Sequence, residues 1–511
     1  MPASPTATPR RRPAPAQRPV AILIASRDTA DAARALLGAA GGPALAGVIW
    51  AGPAGEPGPL PSLGSLEAAA TAAAALGATE AIICLPESQT ALREAAAGAA
   101  AEAGLLARFL PAPEDLLRPA PAAPSPRHLP APIDPATLIG RPARPVDREA
   151  INGLIAGRRV LITGAGGSIG SELARQAAAA GPEAVYLMER AENALFDIDR
   201  RLGAAFPGVA RRALLHDVVD ADRTADLVWR LRPDVVFHAA AHKHVPLLED
   251  HPALAIENNT LGTRSIAEAA IAAGAARFVM ISTDKAVKPS SVMGATKRLA
   301  ELCVLALDTR ARRAGAPSRC SVVRFGNVLG SACSVLEIWA AQLAEGGPIT
   351  VTDSRMTRYF MTIPEAAALV MQAGATARSS ANDAAPAIHV LDMGEPVRIL
   401  DLAQRFCRAH GYHPVILEPG ESTGADRVGI RITGIRPGEK LHEELVYDAE
   451  QLACSGAPSI WALRAEGPAP DPDTIDHALA DLAAAAETRD ATRCLEALAR
   501  HVPEMRRPGR T

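Results

Sequence analysis

Aromatic residues are scarce in this chain. Phe, Trp and Tyr together make up 3% of 511 residues, while hydrophobic residues make up 48%. The core must therefore be aliphatic. An excess of charge of one sign is also missing. The 53 basic and 56 acidic residues leave a net charge of −3, which argues against a nucleic-acid binder, whose footprint is a basic excess. No run of about 18 residues is both apolar and free of charge, so no integral membrane span is expected. The seven cysteines (Cys84, Cys303, Cys320, Cys333, Cys407, Cys454 and Cys494) are odd in number and never spaced CxxC. That disfavours a zinc site and a disulfide framework, no metal is expected, and a reducing compartment is the simple reading. Arg10, Arg11 and Arg12 are followed by Pro and Ala rather than an apolar stretch, so the start does not read as a secretory signal.

What is present is unevenly arranged. Of the 43 prolines, 23 fall in the first 150 residues, and 11 of those lie between Pro111 and Pro145. So dense a stretch cannot be a packed helix or a central strand. The expected organisation is a disordered tail at 1–17, a small α/β domain at 18–115, a Pro-rich linker at 116–150 and a larger α/β domain at 151–511. In the small domain, residues 20–24 (VAILI), 48–50 and 81–85 suit buried parallel strands, with a helix from Thr29 to about Ala40. The turn after its first strand reads Ala25-Ser26-Arg27-Asp28-Thr29, without glycine. A phosphate could not approach that backbone closely, so dinucleotide binding is not expected there. At the other end, residues 475–485 and 491–499 read as two amphipathic packing helices.

The larger domain carries the chemistry. Residues 159–163 (RVLIT) form a strand candidate, and Gly164, Gly167 and Gly170 follow as GxxGxxG, with a helix opening at Ser171. Glycines there allow a tight turn, a close approach of a pyrophosphate and close helix–strand packing, and Ser168 and Ile169 lie at the helix N-terminus facing the phosphates. Glu189 ends the next strand, 19 residues past Gly170. A carboxylate there suits the ribose hydroxyls of NAD and repels the extra phosphate of NADP; Arg190 beside it could bind that phosphate, so NAD is favoured over NADP. A plain surface glutamate is the bland alternative. Asp217 and Val218, after a third strand, are placed to reach the adenine. Ala239 and Ala240, after a fourth, leave room for the cofactor. His242-Lys243-His244 lacks a third ligand nearby and is weak evidence for a metal.

Residues 163–176 (TGAGGSIGSELARQ), 239–249 (AAAHKHVPLLE), 282–297 (STDKAVKPSSVMGATK) and 435–445 (IRPGEKLHEEL) resemble the extended short-chain dehydrogenase/reductase group. Within it they resemble the CapD-like polysaccharide biosynthesis proteins, nucleotide-sugar 4,6-dehydratases acting on UDP-N-acetylglucosamine. The resemblance runs from about 150 to the C-terminus, and residues 18–145 are similar to the Rossmann-like domain that precedes the catalytic domain in larger members. It implies a Rossmann-like doubly wound parallel sheet with a C-terminal substrate-binding part. It also implies a three-step cycle: hydride from C4 to NAD, loss of the C5 proton and of water, and return of the hydride to C6. The larger members carry N-terminal membrane helices and this sequence shows none. A cytoplasmic protein is therefore expected, with docking at the inner membrane left open; a homo-oligomer and no nucleic-acid partner are also expected.

Ordinary members place Tyr-x-x-x-Lys on the helix after the STDK strand. Here the spacing survives as Met293 to Lys297, and methionine cannot transfer a proton. The resemblance implies that methionine is usual in the large dehydratase subgroup. Asp284 is the expected acid for the departing C6 hydroxyl. Lys285 is the expected base at C5, with a pKa depressed by burial. Thr283 is expected to bond the C4 oxygen, and Lys297 to hold the nicotinamide ribose and help deprotonate the C4 hydroxyl. Lys243, His244, Asn327, Arg355, Arg358, Arg436 and Glu439 are the substrate candidates; arginine suits a diphosphate because its planar fork gives two parallel bonds. Asn259 reads as a buttress. Two alternatives stay open: a UDP-sugar epimerase, against which Met293 counts, and a catalytically silent NAD-binding scaffold, against which Asp284, Lys285 and Lys297 count.

Overall fold

The computed structural model describes residues 20–39, 43–53, 59–86, 89–110, 112–113, 135–376, 388–418, 427–448, 450–465 and 471–505. The tail at 1–17 and most of the expected linker, 116–134, lie outside them. The chain divides into two compact units, residues 1–125 and 126–511.

The first unit holds five parallel strands in the order Ser62–Ser65, Ala44–Trp50, Val20–Ala25, Glu80–Cys84, Leu106–Phe109. The apolar run at 20–25 is central and splits by alternation. Ile22 and Ile24 join Ile49 and Ile83 on one face, and Ala21, Leu23 and Ala25 join Val48 and Ile82 on the other. The first helix, Ala30–Ala39, begins one residue later than expected because Thr29 serves the turn. Its hydroxyl donates to Cys84 O (2.6 Å) and accepts from Ser26 N (3.1 Å).

Residues 135–150, expected as linker, belong to the second unit. The helix Pro135–Ile139 buries Leu138 and Ile139 in a cluster with Trp339 and Phe406. Arg141 and Arg144 pair with Glu365 and Asp392, each at 2.8 Å. Proline here interrupts helices without preventing packing.

The second unit is built on a sheet of nine strands among the described residues. Seven are parallel, in the order Ala210–Leu215, Ala184–Glu189, Arg159–Thr163, Val235–His238, Arg277–Ile281, Arg319–Arg324, Ile388–Leu391. Ile460–Ala465 and Glu450–Cys454 extend it antiparallel. Alternation again assigns the faces: Leu161, Val236 and Met280 to one core, Val160, Ile162, Phe237 and Val279 to the other. Chain order reverses between Arg159–Thr163 and Val235–His238, and a crevice opens at such a switch point. A smaller parallel sheet, Ile349–Val351, Arg427–Ile432 and His413–Leu417, backs the C-terminal part. The two expected C-terminal helices are Pro472–Glu487 and Ala491–His501. Among the described residues no helix is long and apolar enough to cross a membrane.

His389 sits within the sheet, 4% exposed, with neither ring nitrogen hydrogen-bonded among the described residues. Burial lowers its pKa to about 4. The unfolded chain takes this proton near pH 6.5 and the folded chain does not until about 4. Folding stability therefore falls as pH drops through that window, by about 1.4 kcal/mol per pH unit for this group. Urea unfolding between pH 7 and 4.5 should give a flatter decline for His389→Leu than for the parent chain; parallel declines would refute this.

Candidate active site

The crevice at the switch point is a cleft of about 290 Å³ lined by Gly164, Gly167, Glu189, Arg190, His216, Asp217, Val218, Ala239 and Ala240, among others. Its floor requires glycine. A Cβ at Gly170 would lie 2.0 Å from Gly164 O, and one at Gly164, where φ is +65°, would lie 2.7 Å from Ala240 N. Because Gly170 allows this approach, the helix Ser168–Ala179 starts three residues earlier than expected, with Gly167 as its N-cap. Its first amides thus follow the glycine turn directly, an arrangement that fits the diphosphate of a dinucleotide. Ser168, Ile169 and Gly170 are not among the residues lining the cleft, and Ser168 Oγ accepts a bond from Ala332 N (3.0 Å).

Glu189 accepts from the amides of Gly166, Arg190 and Ala191 (3.2, 2.9 and 3.0 Å), which fixes its carboxylate at the cleft. Arg190 leans across to His242 Nε2 (2.8 Å) and Asp217 (3.5 Å). Asn259, in a π-helical turn (Ile256–Leu261), clamps His242 through its amide (2.8 Å) and carbonyl (3.0 Å) and reaches Thr296 (3.3 Å). Below the cleft, His238 Nδ1 bonds Thr163 (2.7 Å) and Nε2 bonds Thr263 (2.9 Å). Burial, with the charge of Lys297, lowers its pKa to about 3, so the ring is a neutral spacer at physiological pH.

A second cluster stands at the end of strand Arg277–Ile281. Thr283 caps a 3₁₀ turn, Asp284–Ala286; its hydroxyl donates to Asp284 Oδ1 (2.9 Å) and accepts from Lys285 N (3.3 Å). Lys285 Nζ donates to Asp284 Oδ1 (2.9 Å) and Asn327 Oδ1 (3.0 Å) and lies 3.7 Å from Glu443. Burial alone would lower the Lys285 pKa, but the charges of Asp284 and Glu443 outweigh it and raise it. This corrects the expectation of a depressed value: Asp284 beside it in sequence and Glu443 brought in by the fold together outweigh burial. Lys297 does show depression. It is 4% exposed, donates to Ile281 O (2.6 Å), and burial lowers its pKa to about 8 against the opposing charge of Glu301.

Met293 and Lys297 lie on the helix Val292–Arg313, whose N-cap Ser291 accepts from Gly294 N (3.1 Å). A Cβ at Gly294 would meet Lys285 O at 2.2 Å, so this glycine lets helix and STDK turn touch. Met293 is buried among apolar side chains.

The substrate candidates separate. Asn327 joins Lys285, and Arg358, 6% exposed, bonds Lys440 O (2.8 Å) and stands 3.8 Å from Glu443. Lys243 Nζ donates to Ala332 O (2.7 Å), and His244 caps a short helix, Val245–Asp250. Arg355 does not join them; it is exposed and paired with Asp353 (2.9 Å). Arg436 is exposed, and its amide is bonded by Glu439 (3.2 Å).

Sequence reasoning missed Glu443, Lys440 and the ion network behind the turn. Arg324 and Glu301, both fully buried, make two bonds of 2.7 Å; Arg324 also bonds Glu450 (2.7 Å), and Ser282 donates to Glu301 (2.7 Å). Tyr447 stacks under Arg298 and Arg324. The available signal was an arginine inside an apolar strand run (VVRF), which demands a buried partner.

The polysaccharide biosynthesis protein family model matches residues 160–465, more than half of the chain. The chain belongs to this family. It is 46% identical over 314 residues to the probable polysaccharide biosynthesis protein EpsC of Bacillus subtilis and 43% identical over the same length to the capsular polysaccharide biosynthesis protein CapD of Staphylococcus aureus, 61% of this chain and 49% of each relative. The chain thus spans about half the length of these relatives. Among solved structures, Pen from Bacillus thuringiensis superposes with a TM-score of 0.51 at 27% identity, covering 61% of this chain and 88% of that one. The matched family region contains the glycine turn, both lysines and all of the Glu301–Arg324–Glu450 network.

Removing one partner of a buried ion pair leaves the other charge uncompensated, at a cost of about 3–5 kcal/mol. Arg324→Met should lower unfolding stability toward that order, with Arg298 still facing Glu301 at 3.2 Å, and the double variant Glu301→Leu/Arg324→Met should lose less than the sum of the two single variants. A loss in the double variant equal to the sum of the Glu301→Leu and Arg324→Met losses in denaturant titration would show that the pair is not coupled.

Proposed function

We propose that the protein is an NAD-dependent 4,6-dehydratase of a UDP-sugar, with UDP-N-acetylglucosamine as substrate, serving polysaccharide synthesis. The observation that carries this reading is Lys285 held between Asp284 and Asn327 at the end of a sheet strand, with Lys297 on the adjoining helix. The glycine cradle and the N-terminus of helix Ser168–Ala179 hold the cofactor's diphosphate, and the fixed Glu189 carboxylate selects ribose hydroxyls over a 2′-phosphate. NAD held there would supply a hydride acceptor for C4 of the sugar and a hydride donor for C6, with no net change in the cofactor.

The side chains move the protons. Lys297, with its pKa near 8, takes the proton of the C4 hydroxyl in place of the absent tyrosine, and Thr283 bonds the C4 oxygen. Asp284 and Lys285 perform the elimination as a unit. At rest they form an ammonium–carboxylate pair. One proton crossing the 2.9 Å bond converts it to an amine and a carboxylic acid. The amine removes the C5 proton, the acid protonates the leaving C6 hydroxyl, and water departs. The sugar has lost H and OH, and the dyad is again an ion pair; when hydride returns at C6, the Lys285 ammonium gives C5 its proton, and the C4 hydroxyl proton held by Lys297 makes good that loss, so protons balance over the cycle. A raised Lys285 pKa in the resting state is thus compatible with a base role, because the proton it gives up is the one Asp284 needs. Arg358 and Asn327 are the substrate-binding residues nearest this dyad.

Purified protein incubated with UDP-N-acetylglucosamine should yield a nucleotide sugar lighter by one water in mass spectrometry, with no net reduced cofactor. A new stereoisomer at unchanged mass, seen by NMR, would replace this reading with an epimerase; no change at all would refute turnover of this substrate. Asp284→Asn should slow dehydration by about 10²–10⁴-fold while NAD still binds. In calorimetric titration, Gly170→Ala should weaken NAD binding by about tenfold or more. Gly208→Ala, with nothing within 4 Å of the added carbon, should not.

A further inference from the structure

Glu443 is a buried carboxylate that satisfies no hydrogen-bonding need of its cationic neighbours. Its side chain is 3% exposed. Oε1 lies 3.7 Å from Lys285 Nζ and 3.8 Å from Arg358, and Oε2 lies 3.8 Å from Lys440. Oε2 makes no hydrogen bond among the described residues. Each cation has a closer partner: Lys285 has Asp284 and Asn327, Arg358 has Lys440 O, and Lys440 has Val287 O (2.6 Å). Leaving a buried carboxylate oxygen without a hydrogen bond is costly. What Glu443 contributes instead is negative charge, directed at the nitrogen of Lys285.

That charge has a use when Asp284 loses its own. In the acid form Asp284 is neutral, and Glu443 is then the one carboxylate within 4 Å of Lys285 Nζ among the described residues. We infer that Glu443 is a positioning residue of the elimination: it holds the Lys285 amine in place and stabilises the ammonium that forms as the C5 proton arrives. The role rests on the dehydratase reading, although the electrostatic hold does not. The other charges facing this group are Arg358 and Lys440, which oppose protonation of Lys285; Glu444, which acts on Lys440, is tied to Lys288 (2.7 Å). With Glu443 neutralised, Arg358 and Lys440 remain, so Lys285 must become a weaker base.

Two measurements on Glu443→Gln test this, with Glu443→Asp as the variant that keeps the charge and far-ultraviolet circular dichroism as the check of folding. First, Lys285 is labelled with an amine-reactive reagent across alkaline pH and followed by peptide mass spectrometry. The pH of half-labelling should fall by about one unit in Glu443→Gln, with partial recovery in Glu443→Asp. An unchanged half-point in folded Glu443→Gln would overturn the inference. Second, UDP-N-acetylglucosamine is added to the NAD-loaded proteins. Oxidation at C4 should proceed in Glu443→Gln while elimination stalls, so the near-ultraviolet absorbance of reduced cofactor accumulates in the variant and not in the parent. Dehydration by Glu443→Gln at the parent rate would overturn the inference. A shifted half-point without dehydration by any of the proteins would uphold the electrostatic hold and refute the dehydratase reading instead.

Discussion

The ion pair between Arg324 and Glu301 is the constraint on which the second unit's active face depends. Both side chains are fully buried and must be matched by opposite charge: Glu301 has Arg324 and Arg298, and Arg324 has Glu301 and Glu450. Arg324 comes from a central strand, Glu301 from the helix that carries Lys297, and Glu450 from the edge hairpin. Ser282, the first residue of the STDK turn, is bonded to the same Glu301 carboxylate. One buried guanidinium therefore sets the spacing between turn, helix and hairpin. Burial alone would raise the Glu301 carboxyl, but Arg324 holds it below its usual range, so it stays charged. A hydrophobic replacement could fill the same volume, but it would not fix these elements in register by direction-specific bonds.

This anchoring explains how two lysines a short distance apart in sequence acquire opposite character. Lys297 projects from the anchored helix onto a carbonyl, burial outweighs the opposing charge of Glu301, and its affinity for a proton falls. Lys285 lies on the anchored turn between two carboxylates, and its affinity rises. The chain thus offers an amine that is readily neutral and an ammonium that is readily paired. The proposed elimination would use both: one group to open the cycle by taking a hydroxyl proton, another to shuttle a proton across a short bond.

The cleft beside this cluster depends on the absence of side chains. Gly164 and Gly170 let strand and helix approach to a separation that no Cβ would permit, at the point where strand order reverses. Glu189 accepts from three backbone amides and Asn259 bonds both backbone groups of His242, making the rim of the cleft a fixed surface. The first unit has a parallel sheet of its own, but its corresponding turn is closed by the Thr29 hydroxyl on Cys84 O.

Much of this was legible in the residues alone. Alternating apolar runs specify strands because side chains alternate across a pleat, and GxxGxxG between a strand and a helix specifies a close strand–helix turn because only glycine fits it. Those are local properties, so residues 159–170, Glu189, and the spacing of Met293 and Lys297 could be read directly. Residues 135–150 could not, since proline density reports local conformation and is blind to the ion pairs of Arg141 and Arg144 with residues more than 200 positions away. For the same reason the Lys285 pKa was misjudged: burial is a property of one residue's surroundings on average, whereas the sign of its shift depends on which charges arrive beside it. Glu443 lies 158 positions further along the chain, and only the packing of that loop onto the STDK turn brings its carboxylate to 3.7 Å. Which residue types can do the chemistry was decided by the sequence; which of them meet, and hence which way their protons move, was decided by tertiary structure, because Coulomb interactions act through distance in space and not along the chain.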